Sequence, residues 1–223
     1  MSTTILGLPP AGIDPYRVGR MGGGRSEPPR RHETGPAPKR IVVGYGFWIF
    51  LLSDIVMFST FFAAHAVLRG AFAGGPTGRD LFNIPNVAVE TALLLASSFA
   101  CGLAAVAMET RNMLWTQVML LLTGLLGLGF LLIEVNEFAT LVAHGAGPDR
   151  SGFLSSFFAL VGCHGLHVTA GLLWLGTMMA QIFVKGFAPR VYRRMLCFNL
   201  FWHALDIIWV AIFTFVYLYG VAA

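Results

Sequence analysis

The chain has 223 residues, of which 56% are hydrophobic and 12% charged, with a formal net charge of +4 and a mean hydropathy of +0.71. These values exclude an ordinary soluble domain and describe a polytopic membrane protein. Cys101, Cys163 and Cys197 all fall in apolar stretches without CxxC spacing, so they read as buried thiols rather than a disulfide framework or a zinc site.

Residues 1–40 are rich in Pro, Gly and Arg and contain no run able to bury a face or to form the apolar core of a signal peptide. A disordered tail is expected there. Its basic residues, Arg17, Arg20, Arg25, Arg30, Arg31, Lys39 and Arg40, outnumber Asp14, Glu27 and Glu33. A basic segment directly before a first span is a cytoplasmic topology signal that also attracts anionic lipid headgroups, and this reading is preferred to nucleic-acid binding.

The membrane domain, 41–223, is expected to cross the bilayer five times, because about 20 apolar residues at a rise of 1.5 Å span the hydrocarbon. The first predicted span, about 45–69, carries Asp54 at the end of Phe47-Trp48-Ile49-Phe50-Leu51-Leu52-Ser53-Asp54. Its partner is expected to be a hydroxyl or histidine on another span; the functional alternative is a carboxyl that exchanges protons or touches a lipid headgroup. After the loop Gly74-Gly75-Pro76-Thr77-Gly78, the second span, about 86–108, holds Glu90 and a small face at Ala104 and Ala107. The break at Glu109 to Asn112 leads to the third, about 114–143, with Glu134, Glu137 and the small residues Gly124, Gly127 and Gly129. Gly145 to Arg150 separates it from the fourth, about 152–184, which carries His164, His167, Gly162 and Gly165. A loop over Lys185 to Arg194 then precedes the fifth, about 195–219, with His203 and Asp206. There Trp202, Asp206 and Trp209 form a stripe, expected to be a buried aromatic face with one polar handle. The third and fourth spans exceed the minimum length and are expected to tilt or to project from the membrane.

Every span thus holds an acid or a histidine, each unfavourable by roughly 2.5 to 3.5 kcal/mol near the bilayer centre on insertion scales. Basic residues count in favour of a cytoplasmic N-terminus and an external C-terminus. With the tail inside, Arg111, Lys185, Arg190, Arg193 and Arg194 join it, against only Arg69, Arg79 and Arg150 outside. Trp115, Tyr217 and Tyr219 are then expected at interfaces. Counting from span centres puts Glu90, Glu134 and Glu137 in the outer half and His164 roughly 6 Å outward of its centre. Asp54 and His203 fall somewhat inward, with His167 and Asp206 near mid-depth. Glu134/Glu137, His164/His167 and His203/Asp206 are each three apart and share a helix face.

Glu-x-x-Glu opposite His-x-x-His is a donor set of the kind that holds a di-iron centre in a bundle, but the usual Glu-x-x-His on two helices is absent. A bis-histidine haem needs ligands from two helices, and His203 facing His164 or His167 is the arrangement to look for. Against both stands a structural polar network. The glycine-rich loops lack the Lys-Ser/Thr of a phosphate-binding loop.

Several motifs, in order, carry a resemblance. Gly162-Cys163-His164-Gly165-Leu166-His167-Val168, then Phe201-Trp202-His203-Ala204-Leu205-Asp206-Ile207-Ile208-Trp209, with Ser53-Asp54 and Glu134-x-x-Glu137-Phe138, resemble subunit III of the haem-copper respiratory oxidases over about 44–220. The loops Ala73-Gly74-Gly75-Pro76-Thr77-Gly78-Arg79-Asp80 and Gly147-Pro148-Asp149-Arg150-Ser151-Gly152-Phe153-Leu154 are similar to the bacterial cytochrome o ubiquinol oxidase branch of that family.

The resemblance implies an all-α integral membrane protein, a five-transmembrane-helix bundle of the cytochrome c oxidase subunit III type, in the bacterial cytoplasmic membrane. It implies an accessory subunit of a proton-pumping quinol oxidase, without catalytic residues or redox cofactor of its own, the haems and copper lying on subunit I. Subunit I is the implied direct partner, with subunits II and IV in the same complex, phospholipids bound and no nucleic acid. His164, His167 and His203 match family positions that are not metal ligands. Asp54 stands where many cytochrome c oxidases carry a reactive intramembrane glutamate, with a shorter reach. A cytochrome c oxidase subunit III is the alternative; a stand-alone membrane metal enzyme and a proton-coupled transporter are more remote. Transporters of many kinds show broken, Gly/Pro-interrupted spans that this sequence lacks.

Overall fold

A computed structural model describes residues 39–74 and 83–222. The tail up to residue 38 and the stretch 75–82, with Arg79 and Asp80, lie outside the described residues. Five long helices follow one another: α1 (Lys39–Leu68), α2 (Ile84–Glu109), α3 (Met113–Ala143), α4 (Gly152–Lys185) and α5 (Pro189–Ile212). The last continues through a π-helical turn, Phe213–Leu218, into a short α6 (Tyr219–Ala222). All five are long and apolar enough to cross a membrane, and the structure agrees with the expected five-span, all-helical class.

Helix starts follow from capping chemistry. Asn112 accepts from the Trp115 amide at 3.2 Å and Ser151 from the Leu154 amide at 3.2 Å, each satisfying an otherwise orphan N–H. Pro85 occupies the first turn of α2, where a missing N–H costs nothing. Pro189 does the same in α5, and this corrects the expected loop. The connection after α4 is only Gly186 to Ala188, with Gly186 at φ 60°, and residues 189–194 are already helical. That early turn is held because Val191 and Met195 are buried and Arg194 Nη1 reaches Gln181 Oε1 at 2.5 Å.

α5 sits amid the others, packing against α1, α2 and α4; α2 pairs with α3, and α3 and α1 each also pack on α4. Close approach depends on small residues at a few points. A Cβ on Gly127 of α3 would fall 2.8 Å from Trp202 Cζ2, and one on Gly171 of α4 would fall 2.8 Å from Trp202 Cζ3. The Trp202 indole of α5 is therefore wedged between two glycines of neighbouring helices. Gly124 meets Leu175 in the same way at 2.7 Å, whereas Gly129, Gly162 and Gly165 have ordinary space.

Trp115 is 54% exposed, as an interfacial residue would be, and Tyr219 is half exposed with the Arg69 guanidinium 4.8 Å from its ring. Tyr217 departs from the interfacial expectation and is fully buried. In a regular α-helix residues eight apart are about 80° out of phase. The wider i→i+5 turn reduces that offset, so Tyr217 shares the buried face of Trp209, ring centroids 6.2 Å apart.

Candidate functional site

The α2–α5 contact is a seam of polar side chains inside an otherwise apolar bundle. Near the α2 C-terminus, Tyr192 Oη donates to Glu109 Oε1 at 3.0 Å. One level along, Cys101 Sγ donates to Asn199 Oδ1 at 3.3 Å. Then Ser98 Oγ lies 2.6 Å from His203 Nδ1, with Asp206 one turn further along α5 within electrostatic range of both. Trp202 Nε1 donates to Ser97 Oγ at 3.1 Å, and Ser97 Oγ in turn donates a hydrogen bond to the Thr123 carbonyl of α3 at 2.9 Å. Trp209 Nε1 donates to Thr91 Oγ1 at 3.1 Å, while Thr91 donates back to Val87 O. From Glu109 to Thr91 the seam runs roughly 27 Å along α2, close to the hydrocarbon thickness.

Ser98, His203 and Asp206 are the residue types of a hydrolytic triad, but they do not form one. Ser98 Oγ faces His203 Nδ1, but among the described residues no hydrogen bond joins His203 to Asp206, so no carboxylate holds the imidazole as a base for the serine. The arrangement fixes two helices against each other.

The structure separates the remaining candidates. Glu90 of α2 and Glu134 and Glu137 of α3 come together within electrostatic range of one another and of the buried Tyr217. Glu90 and Glu134 are buried, and none of the six carboxyl oxygens has a hydrogen-bond partner among the described residues. His164 does not join them through a ligand set. It is fully buried among rings, 5.3 Å from Trp209, 6.0 Å from Phe130 and 6.3 Å from Phe58 between centroids, and neither ring nitrogen has a hydrogen-bond partner among the described residues. His167 Nδ1 lies 2.8 Å from the Cys163 carbonyl in its own helix. Asp54 is half-buried on α1, within electrostatic reach of Cys163 of α4. Among the described residues no three His, Cys, Asp or Glu side chains form a group able to hold a metal ion.

Sequence reasoning missed Thr91, Ser97, Ser98, Asn199 and the pair His65 Nδ1 to Ser156 Oγ, 3.0 Å apart. The signal for the first two was present: Trp202 and Trp209 carry indole N–H groups that need acceptors once buried, and a hydroxyl-bearing stripe on a neighbouring span is the natural source.

A second feature is a groove of about 670 Å³ between the start of α3 and the end of α4, lined by Met113, Leu114, Gln117, Met179, Ala180 and Phe183. Gln117 Nε2 donates to the Met179 carbonyl there at 3.0 Å, so the one amide in the lining is spent and the walls are apolar.

Fold and seam together define an integral membrane protein of five spans whose intramembrane polar groups largely join helices. The sequence model for cytochrome c oxidase subunit III matches residues 35–221, and the chain belongs to that family. It is 52% identical over 176 residues to the cytochrome bo(3) ubiquinol oxidase subunit 3 of Pseudomonas putida, covering 79% of this chain and 85% of that one. The Pseudomonas aeruginosa protein of the same name is 51% identical over 79% and 84%. The quinol oxidase subunit 3 of Bacillus subtilis is 40% identical over 197 residues, 88% of this chain and 95% of its own.

Proposed function

We propose that the chain is subunit 3 of a bacterial quinol oxidase that couples quinol oxidation and oxygen reduction to proton translocation, with the chemistry on a partner. The observation that carries this is the similarity to quinol oxidase subunits from both Pseudomonas and Bacillus, 52% and 40% identical over 79% and 88% of this chain. Subunit III has no catalytic centre in this family, and the seam gives its polar residues another use. Trp202, Trp209, His203 and Asp206 act in our reading as fasteners between α5 and α2.

The role inferred for the chain is to stabilise subunit I, to sit beside subunits II and IV, to bind phospholipid and to sustain proton uptake, with its N-terminus cytoplasmic. Support for docking comes from α1: only 11% of its most apolar stretch is buried within the chain, leaving Trp48, Ile49, Ile55 and Val56 for a neighbour. Support for lipid comes from the groove between α3 and α4. Its walls suit an acyl chain, and Arg111 and Lys185 stand two residues from Met113 and Phe183 in sequence, where a phosphate would be neutralised.

The reading is tested by tagging the chain and purifying it in mild detergent. Larger oxidase subunits and tightly held phospholipid should come with it, and Phe183→Ser should lower the phospholipid retained. Purification of the tagged chain alone from membranes with active oxidase would contradict the reading, as would solute flux in liposomes containing only this chain.

A further inference from the structure

Three carboxyl groups without partners inside a membrane bundle need an account that the fastening role does not supply. Glu134 and Glu137 lie one turn apart on α3, and Glu90 comes from α2. Glu90 is 0% exposed and Glu134 3%, and all six carboxyl oxygens are enclosed and unbonded. The charges acting on Glu134 are those of the other two carboxyls. Tyr217, brought inward by the π-helical turn, is the titratable group that faces them from the last helix, within range of all three. From α4, His164 lies against Trp209, which in turn packs on Tyr217.

Three negative charges side by side in hydrocarbon would be mutually repulsive and uncompensated, a state whose cost is avoided by neutralisation. A cation is one means of neutralisation, but these side chains do not form a metal-holding group. Glu90 provides evidence independent of the α3 pair: a fully buried, unpartnered carboxyl on a different helix, placed close enough to Glu137 for their charges to interact. We propose that Glu90, Glu134 and Glu137 form a proton-holding site within this chain, in which protons shared among the carboxyls, bridged by water, take the place of a counterion. A buried carboxylic acid donates one hydrogen bond and accepts others, so protons and water satisfy oxygens that protein groups leave unbonded. The site lies at the end of the bundle that carries the α1–α2 and α3–α4 connections, beyond the seam's terminal pair Trp209–Thr91. It is complete within one chain and does not depend on which partners that chain binds.

The test is infrared spectroscopy of the purified complex in H2O and D2O, comparing the natural chain with Glu90→Gln, Glu134→Gln and Glu137→Gln. The expected result is a protonated-carboxyl C=O band that moves on deuteration and loses area in each variant relative to the natural complex. Tyr217→Phe keeps all three carboxyls and serves if the glutamine variants fail to assemble; it should shift the band. An unchanged C=O region in every variant that assembles would overturn the proposal. So would a metal ion present stoichiometrically in the natural complex and lost with Glu134→Gln or Tyr217→Phe.

Discussion

At Trp202 the chain concentrates its packing and its polar satisfaction in one side chain. The ring fills the space left by Gly127 and Gly171, and its N–H depends on Ser97. Gly171→Leu should therefore overpack the α4–α5 contact and destabilise the chain by about 1–3 kcal/mol. The expected readout is a lower midpoint for thermal release of this chain from the purified complex. Ser97→Ala removes the acceptor and leaves a buried indole N–H without its partner, and takes away the extra hydrogen bond on the Thr123 carbonyl, costing about 1–3 kcal/mol. Ser59→Ala is the control, since Ser59 is exposed and bonds only the Ile55 carbonyl of its own helix; its effect should stay within about 0.5 kcal/mol.

Between α2 and α5 the hydrogen bonds form a ladder, and a double-mutant cycle on Thr91→Val and Trp209→Phe should show coupling of about 0.6 kcal/mol, the usual size for such bonds in a membrane. Full additivity of the two would contradict the ladder as drawn. The number of the long helices was legible in the sequence because span length is a local property. The acids and histidines were legible for the same reason: a charge in hydrocarbon is conspicuous wherever its partner lies. Partner choice was not legible. Ser97 and Ser98 face different groups, Trp202 on one side and His203 with Asp206 on the other, and only the rotation of α2 against α5 decides between them. Tyr217 was misplaced because counting residues assumes a constant turn, and the π-helical segment breaks that assumption. Residues 189–194 were read as part of a loop, whereas Pro189 at a first helical turn starts a helix.

As a whole molecule the chain presents an apolar surface, much of it on α1, around a core whose polar groups are turned inward. Such a body suits a subunit that braces a larger membrane enzyme. Asp206 stands beside the Ser98–His203 level of the seam, within electrostatic range of both, so Asp206→Leu should weaken retention of this chain in the complex while leaving the haem spectrum of the remaining subunits intact. Loss of haem absorbance with full retention of the chain would reverse the assigned roles. The most direct test of the central claim is oxygen consumption by the complex purified through a tag on this chain, with ubiquinol or reduced cytochrome c as donor. The account predicts sustained oxygen uptake with ubiquinol and none with cytochrome c. Uptake driven by cytochrome c alone, or a purified chain carrying its own iron or copper without other subunits, would contradict it.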